Sequence, residues 1–206
     1  MFDNIKQQIM KRKNVKMNTL MIAINAIVFI LVEITGSSLD TVHMIKWGAA
    51  YSPLMEVGHE YYRLFTCMFL HFGISHLINN MIVLAFLGDT LERAVGSVKY
   101  LIIYVVGGLG ASYISFYTEI VSNKNTVSAG ASGAVFAVIG AMLYILLVNK
   151  GRIEDLTTGR LILMIVLTLY LGITSTGVDN MAHLGGLFCG FLLGVLLYKK
   201  RRNGGY

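Results

Sequence analysis

Long apolar stretches alternate with short polar segments along almost the whole chain. A helix that crosses a bilayer needs about 20 mostly apolar residues, and six stretches approach that length. They run near Met17–Thr35, Ile74–Leu91, Val98–Tyr117, Ser132–Val148, Leu161–Ile173 and Met181–Tyr198. The second stretch carries polar side chains and the fifth is short. The pattern predicts an all-α membrane protein, a polytopic bundle of six transmembrane helices.

The connections between these stretches indicate one domain. The connection from about residue 36 to residue 71 is long, the others are short, and the sequence contains no internal repeat. We therefore expect a cytoplasmic N-terminal tail over residues 1–16, a six-helix domain over 17–198 and a basic cytoplasmic tail over 199–206.

The composition agrees with a membrane protein. Of the 206 residues, 55% are hydrophobic and 14% are charged, whereas soluble domains average about 45–50% apolar and about 25% charged residues. The net charge of +6 would suggest a nucleic-acid partner in a soluble protein, but the distribution of the charges has another explanation.

Lysine and arginine concentrate on alternate connections. With six spans, both tails and the connections after the second and fourth spans lie on one side, and all but three of the 17 basic residues fall there. The exceptions are Lys46, Arg63 and Lys124. Because cytoplasmic segments are enriched in Lys and Arg, we expect both termini in the cytoplasm of a bacterial plasma membrane, and no nucleic-acid partner.

Polar residues occur at the starts of the second, fourth and sixth spans. Ionisable and strongly polar side chains are costly inside a bilayer, so they mark functional positions. The three spans run in the same direction, and their starts therefore lie at a similar depth toward the outer face. We expect a polar pocket that opens outward and admits the water that hydrolysis needs.

Ser132 and His183 are the candidate catalytic pair in this pocket. A serine hydroxyl needs a base to take its proton, and a neutral imidazole can accept that proton and return it to the leaving group. Gly130 and Gly133 flank the serine and allow a close approach of a substrate backbone. The free N–H groups at a helix start favour a developing oxyanion.

His76 and Asn80 lie four residues apart, so they share one helix face. Both can donate hydrogen bonds to an oxyanion, although such residues also serve as interhelical hydrogen-bonding groups. Asp179 lies four residues before His183 and could orient it. We favour a role for Asp179 as the N-cap of the sixth span, which leaves a catalytic dyad.

Small residues at four-residue spacing indicate where the fourth and sixth spans meet. Such stripes let helices approach nearly backbone to backbone. They comprise Gly133, Ala137 and Ala141 on the fourth span, and Ala182, Gly186, Gly190 and Gly194 on the sixth. Both stripes begin beside the candidate pair, so packing them together would bring Ser132 toward His183.

In their order and spacing these residues resemble the rhomboid family, over roughly Trp47 to Gly194. The motifs that carry the resemblance are Tyr62-Arg63-Leu64, Phe69-Leu70-His71, His76, Asn80, Glu92-Arg93 with Gly96, Gly130-Ala131-Ser132-Gly133, and Ala182-His183-Leu184-Gly185-Gly186 with Gly190. The chain looks like the minimal six-helix bacterial form of that family.

The resemblance implies an intramembrane serine endopeptidase that hydrolyses peptide bonds within or next to transmembrane segments. It assigns the dyad to Ser132 and His183, and the oxyanion site to His76, Asn80 and the Ser132 backbone N–H. It implies membrane-protein substrates within the lipid bilayer and no cofactor, and it leaves the oligomeric state open.

Two positions depart from the family pattern, and a third matches it without a catalytic role. The first-loop Trp-Arg pair reads Tyr62-Arg63 here, so the arginine role carries over with a phenol in place of an indole. Four residues after the serine, where Tyr is common, the chain has Phe136, whose ring can still pack on His183. His71 matches a loop histidine with an expected structural role.

Three other interpretations use the same residues. A proteolytically inactive relative that only binds transmembrane helices would lack the Ser or the His, and both are present. Paired ionisable residues along a path through the membrane would favour a transporter or channel. The inner halves of these spans carry no such residues apart from Asp89, which lies near a turn. A metal site at His71, His76 and His183 has no carboxylate partner nearby in the sequence, so we expect no metal.

Overall fold

The computed structural model describes residues 16–153, 155–174 and 178–200, and these residues are mostly helical. The two predicted tails lie outside the described residues, apart from Lys16, Lys199 and Lys200.

The helices are numbered here in chain order over the described residues. They are α1 Met17–Thr35, α2 Thr41–Lys46, α3 Ser52–Glu56, α4 Arg63–Thr66, α5 Ile74–Val83, α6 Asp89–Val95, α7 Ser97–Ser122, α8 Ser132–Val148, α9 Thr158–Thr174 and α10 Asn180–Leu197. A 3₁₀ turn at Cys67–Phe69 follows α4, and a π-helical segment at Leu84–Gly88 joins α5 to α6.

Two small antiparallel strand pairs accompany the helices. Strand β1 (Ala50–Tyr51) pairs with β2 (Val127–Ser128), with Ala50 opposite Ser128. Strand β3 (Arg152–Ile153) pairs with β4 (Leu156–Thr157). The first pair joins the long connection after α1 to the segment that leads into α8, so two distant parts of the chain are held together beside the candidate site.

Four helical stretches of the described residues are long and apolar enough to cross a membrane. They are Met17–Thr35, Ile74–Val95, Ser97–Ser122 and Asn180–Leu197. The fourth and fifth predicted spans correspond to shorter apolar helices, Ser132–Val148 and Thr158–Tyr170. The second predicted span continues to Val95 instead of ending at Leu91, and the helix ends only at Gly96, whose φ is +86°.

Helix α8 is the centre of the bundle. Every residue from 133 to 142 is buried, and the most extensive helix–helix contacts in the structure join α8 to α10, α7 to α10 and α7 to α8. A helix that is apolar on all sides is typical of a protein core or a membrane span. Here protein surrounds the helix, so its polar first turn meets neighbouring side chains instead of lipid.

The outer helices carry large apolar side chains on their outward faces. Ile34 of α1 is 74% exposed, Phe86 of the π-helical segment 71% and Leu196 of α10 74%. Soluble monomers rarely expose apolar patches of more than a few hundred Å². Side chains of this kind over several helices are what a hydrocarbon environment accommodates.

A buried carboxylate fixes the start of α1. Glu92 of α6 is 2% exposed, and its oxygens accept the backbone N–H groups of Lys16 (3.1 Å), Met17 (3.1 Å) and Asn18 (2.7 Å). The Ser97 hydroxyl donates to the same carboxylate at 2.5 Å. The first N–H groups of a helix have no partner within it, and a distant acidic side chain supplies that partner here.

The π-helical segment is held by the same end of α1. A π turn shifts the backbone hydrogen-bond register, and the Asn18 amide donates to the Leu84 carbonyl at 2.8 Å. Tyr100 donates to Asn18 Oδ1 at 2.6 Å. Gly88 lies so close to the Asn18 amide that any Cβ at that position would collide with it.

We expect Glu92→Gln to lower the free energy of unfolding by about 2 kcal/mol or more, since a charged acceptor of several buried N–H groups is replaced by a neutral amide. Denaturant unfolding in detergent measures the change. Glu56→Gln is the matched control, because Glu56 is exposed, and we expect it to change stability by no more than about 0.5 kcal/mol. Equal effects of the two substitutions would contradict the assigned role of Glu92.

Candidate active site

One cavity of about 900 Å³ collects the polar residues that the sequence singled out. Its lining is drawn from α5, α7, α8, α9, α10 and the first connection. The predicted site residues that line it are His76, Asn80, Gly130, Ser132, Gly133, Phe136 and His183. The other predicted site residues do not line the cavity; they are Arg63, His71, Gly186 and Gly190.

Ser132 is the first residue of α8 and lies directly after a tightly held turn. Gly130 has a φ of +153°, a backbone conformation that side chains disfavour. A Cβ on Gly130 would lie 2.8 Å from His76 Cε1 and 2.9 Å from His76 Nε2. Glycine at this position therefore lets the histidine ring come up against the backbone just before the serine.

His183 lies in the first turn of α10, 6% exposed. Its ring stacks on Phe136 with centroids 4.3 Å apart and planes 12° from parallel. Phe136 is four residues after Ser132 and so lies on the same face of α8. In the described residues Nδ1 of His183 has no hydrogen-bond partner, so ring stacking and helix packing hold the imidazole.

Ser132 and His183 line the same cavity, and among the described residues no hydrogen bond joins their side chains. Catalytic hydrogen bonds are often long in an enzyme without substrate and tighten when the substrate is bound. The Ser132 hydroxyl and the His183 imidazole therefore share one cavity without a direct hydrogen bond among the described residues.

Helices α8 and α10 meet backbone to backbone. A Cβ on Gly186 would collide with the Gly133 carbonyl, and one on Gly190 would collide with the Ala137 backbone. Farther along the crossing, a Cβ on Gly194 would lie 3.0 Å from Ala141 Cα. The two small-residue stripes thus face each other as the sequence indicated, and they end at Ser132 and His183.

His76 and Asn80 occupy one face of α5 toward the cavity. One N–H of the Asn80 amide donates to the His76 backbone carbonyl at 3.0 Å, which fixes the amide and leaves its second N–H for another acceptor. Asn79 also lines the cavity. Both predicted oxyanion donors therefore line the same cavity as Ser132.

Asp179 is the N-cap of α10, as the sequence favoured. Its Oδ1 accepts the Ala182 N–H at 2.9 Å, while Oδ2 accepts the hydroxyls of Ser115 at 2.5 Å and Ser128 at 2.6 Å. The side chain thereby joins α7 and β2 to the start of α10. It makes no hydrogen bond to the His183 ring among the described residues.

Sequence reasoning missed a polar wall on α7. Ser112, Ser115 and Glu119 line the cavity, and Glu119 accepts the hydroxyls of Ser52 and Thr126. The three- and four-residue spacing of the α7 members places them on one helix face. That spacing in the outer half of an apolar span was the available signal for this wall.

A family model described as Rhomboid domain matches residues 58–200. The chain belongs to the rhomboid family. It is 36% identical over 178 residues to "Rhomboid protease GluP" of Bacillus subtilis (strain 168), and the aligned region covers 86% of this chain and 34% of that protein. It is 42% identical over 171 residues to "RHOMBOID-like protein 5" of Arabidopsis thaliana, 82% of this chain and 53% of that protein.

The extent of these matches differs between relatives. The chain spans a third to about half of the length of the two relatives above. It is 28% identical to "Putative rhomboid protease YdcA" of Bacillus subtilis (strain 168) over 189 residues, 90% of each chain. Together with the apolar helices, membership of the rhomboid family makes this chain a multi-pass integral membrane protein.

The rhomboid first loop is organised by Arg63, which is 4% exposed. Its guanidinium donates to the carbonyls of Ile45 (2.7 Å) and Ala49 (2.9 Å) and pairs with Glu60 at 2.5 Å. The guanidinium and the Tyr62 hydroxyl hold the pKa of the Glu60 carboxyl below its usual range. Tyr62 stands where the family pattern noted above has tryptophan, and its hydroxyl donates to the Glu60 carboxylate at 2.9 Å.

His71 is buried behind the serine turn, with 1% of its surface exposed. Its Nε2 accepts the Ala131 backbone N–H at 3.3 Å, and its ring meets that of His76 edge to face, with centroids 5.2 Å apart. The described residues contain no group of three His, Cys, Asp or Glu side chains arranged to hold a metal ion.

We expect Gly190→Ala to destabilise the protein by about 1–3 kcal/mol and to reduce activity more than tenfold, since the added methyl collides with the Ala137 backbone and separates α8 from α10. Thermal unfolding and substrate cleavage measure the two effects. In Gly159→Ala, the control, the methyl meets no atom within 4 Å. Unaltered stability of Gly190→Ala would exclude the close packing described here.

We expect Asp179→Asn to retain activity within about tenfold, because the amide oxygen still caps α10. Asp179→Ala removes the cap and also the acceptor of the Ser115 and Ser128 hydroxyls, so it should cost about 2 kcal/mol of stability or more. A triad acid behaves differently: its replacement by Asn lowers kcat about 10⁴-fold with the fold intact. Kinetics and unfolding of both variants distinguish a cap from a triad member.

Proposed function

We propose that this chain is an intramembrane serine endopeptidase that hydrolyses peptide bonds within or next to transmembrane segments of membrane proteins. The observation that carries the proposal is the single cavity shared by Ser132, His183, His76 and Asn80. The printed names of two relatives, "Rhomboid protease GluP" and "Putative rhomboid protease YdcA", support a protease.

In the proposed reaction the Ser132 hydroxyl attacks the scissile carbonyl while His183 takes its proton. The negative charge that develops on the carbonyl oxygen is stabilised by the His76 ring N–H, the Asn80 amide and the Ser132 backbone N–H. His183 then protonates the leaving amine, and the new amino terminus departs. Water, deprotonated by the same imidazole, releases the acyl group from Ser132.

Water reaches the serine because α8 is short. Its 17 residues span about 25 Å at 1.5 Å per residue, less than the roughly 30 Å hydrocarbon core. In this proposal the helix begins below the outer surface, which agrees with the polar lining that α7 and β2 give to the cavity at Ser132. A hydrolytic site inside the membrane needs this combination of depth and polarity.

The short helices α8 and α9 complete six spans in this proposal. A helix surrounded by protein need not match the bilayer thickness itself, since its ends meet polar protein groups. Six spans place both termini on one side, and the Lys and Arg distribution assigns that side to the cytoplasm. The active site then opens to the outside of what we infer to be a bacterial plasma membrane.

We infer that a substrate helix approaches between α5 and α9. The cavity is lined on this side by Ile82 and Val83, next to Met164 and Thr168 of α9. Helix α9 makes far fewer contacts with α8 and α10 than those two helices make with each other. An apolar, loosely packed flank suits a substrate that arrives from lipid and unwinds near the polar cavity.

The decisive experiment compares cleavage of a model transmembrane substrate by wild-type protein, Ser132→Ala and His183→Ala in detergent. We expect each substitution to lower kcat by about 10³-fold or more, since nucleophile and base act as a unit. Ser112→Ala is the matched control, because Ser112 lines the same cavity and its hydroxyl has no role in the proposed reaction.

The outcomes separate the possible errors. Activity that survives in Ser132→Ala would show that the nucleophile is another residue. Equal losses in Ser112→Ala and Ser132→Ala would show that the cavity is disturbed rather than the chemistry. Labelling of Ser132 by a fluorophosphonate, absent in His183→Ala, would establish the activated hydroxyl independently of the substrate chosen.

A further inference from the structure

The backbone N–H groups just before the serine are each bound to a different part of the chain. The Gly130 N–H donates to the Cys67 carbonyl at 2.9 Å, and the Ala131 N–H donates to His71 Nε2 at 3.3 Å. The next N–H along the chain belongs to Ser132, at the start of α8, where a helix has no acceptor of its own for it. Two consecutive N–H groups are thus occupied, and the third, that of Ser132, has no hydrogen-bond partner among the described residues.

The contact to Ala131 restricts the chemical form of His71. A ring nitrogen accepts a hydrogen bond only through its lone pair, so Nε2 carries no hydrogen when it accepts the Ala131 N–H. In a neutral imidazole the other nitrogen then carries it. The ring is 1% exposed, and it therefore contacts neither solvent nor substrate and acts through its neighbours.

His71 supports the site in two directions. Its Nε2 holds the peptide that precedes Ser132, and its ring packs edge to face against His76, 5.2 Å between centroids. His76 in turn lies against the backbone of Gly130. One buried ring therefore contacts both the N–H group that directly precedes the proposed backbone donor, Ser132 N–H, and the ring of the proposed side-chain donor, His76.

We propose that His71 is a positioning residue for the oxyanion site: in its Nδ1-protonated tautomer it accepts the Ala131 N–H and so orients the Ser132 N–H toward the developing oxyanion. This inference rests on the proposed protease function. It assigns to His71 an effect on the chemical step, beyond the structural role expected from the sequence.

Replacing His71 by Gln or by Asn tests whether an acceptor at the position of Nε2 is required. The oxygen of Gln can stand where Nε2 stands, whereas the oxygen of Asn ends near the position of Nδ1, one bond short. We expect His71→Gln to retain kcat within about fivefold. His71→Asn and His71→Leu should lower kcat by 10- to 100-fold with KM unchanged within about twofold, since misplacing a catalytic group by about 1 Å costs on the order of 10² in rate.

The comparison excludes a purely structural role. Equal kcat values for the Gln, Asn and Leu variants would overturn the proposal, and so would a rise in KM with unchanged kcat. Melting temperatures of the Gln and Asn variants are measured alongside, and the proposal requires them to agree within a few degrees while kcat differs.

A measurement on the wild-type protein decides the matter if the variants fail to fold. ¹⁵N NMR of the histidine rings in detergent micelles, with His71 identified by site-specific labelling, reports which nitrogen carries the hydrogen. Hydrogen on Nδ1 alone supports the proposal, and hydrogen on Nε2 overturns it. Absence of cleavage together with absence of fluorophosphonate labelling at Ser132 in the wild type would refute the protease function instead, and the tautomer would still be determined.

Discussion

The contact between α8 and α10 is the constraint on which the rest of the site depends. Glycines at positions 186 and 190 let two backbones approach where any side chain would collide. The hydrophobic effect gives little drive to helix association within lipid, so van der Waals packing of small residues must supply it. The crossing also brings together the two candidate catalytic residues, because Ser132 begins α8 and His183 lies in the first turn of α10.

Around this crossing the structure compensates for polar groups in an apolar setting. Buried polar groups are costly without partners, and the groups near the cavity are linked to one another: Asp179 to Ser115 and Ser128, and Glu119 to Ser52. Phe136 supports the base by stacking instead of hydrogen bonding. The walls are thereby fixed, while the hydroxyl of Ser132 remains available to a substrate.

Much of this was predictable from the sequence, for identifiable reasons. The bounds of α8, Ser132–Val148, agree with the prediction because a polar turn and Asn149 limit an uninterrupted apolar run. The small-residue stripes have a helical period and therefore predicted the crossing. The π-helical segment at Leu84–Gly88 was not predictable, since it depends on Asn18, which is distant in the sequence. The same is true of the pairing of β1 with β2, where two residues on each side carry no recognisable strand pattern. The catalytic roles remain proposals that the kinetic comparisons test.

The partner of the first helix has a consequence for how the protein is made. The N–H of Met17 is accepted by Glu92, 75 residues later in the chain. At 5–20 residues per second of synthesis, the ribosome takes about 4–15 s to deliver that carboxylate after the helix start has left it. During this interval the first N–H groups of α1 need another acceptor, such as water. The hydrogen bonds at the start of α1 are therefore completed only when most of the second helical stretch, Ile74–Val95, has been synthesised.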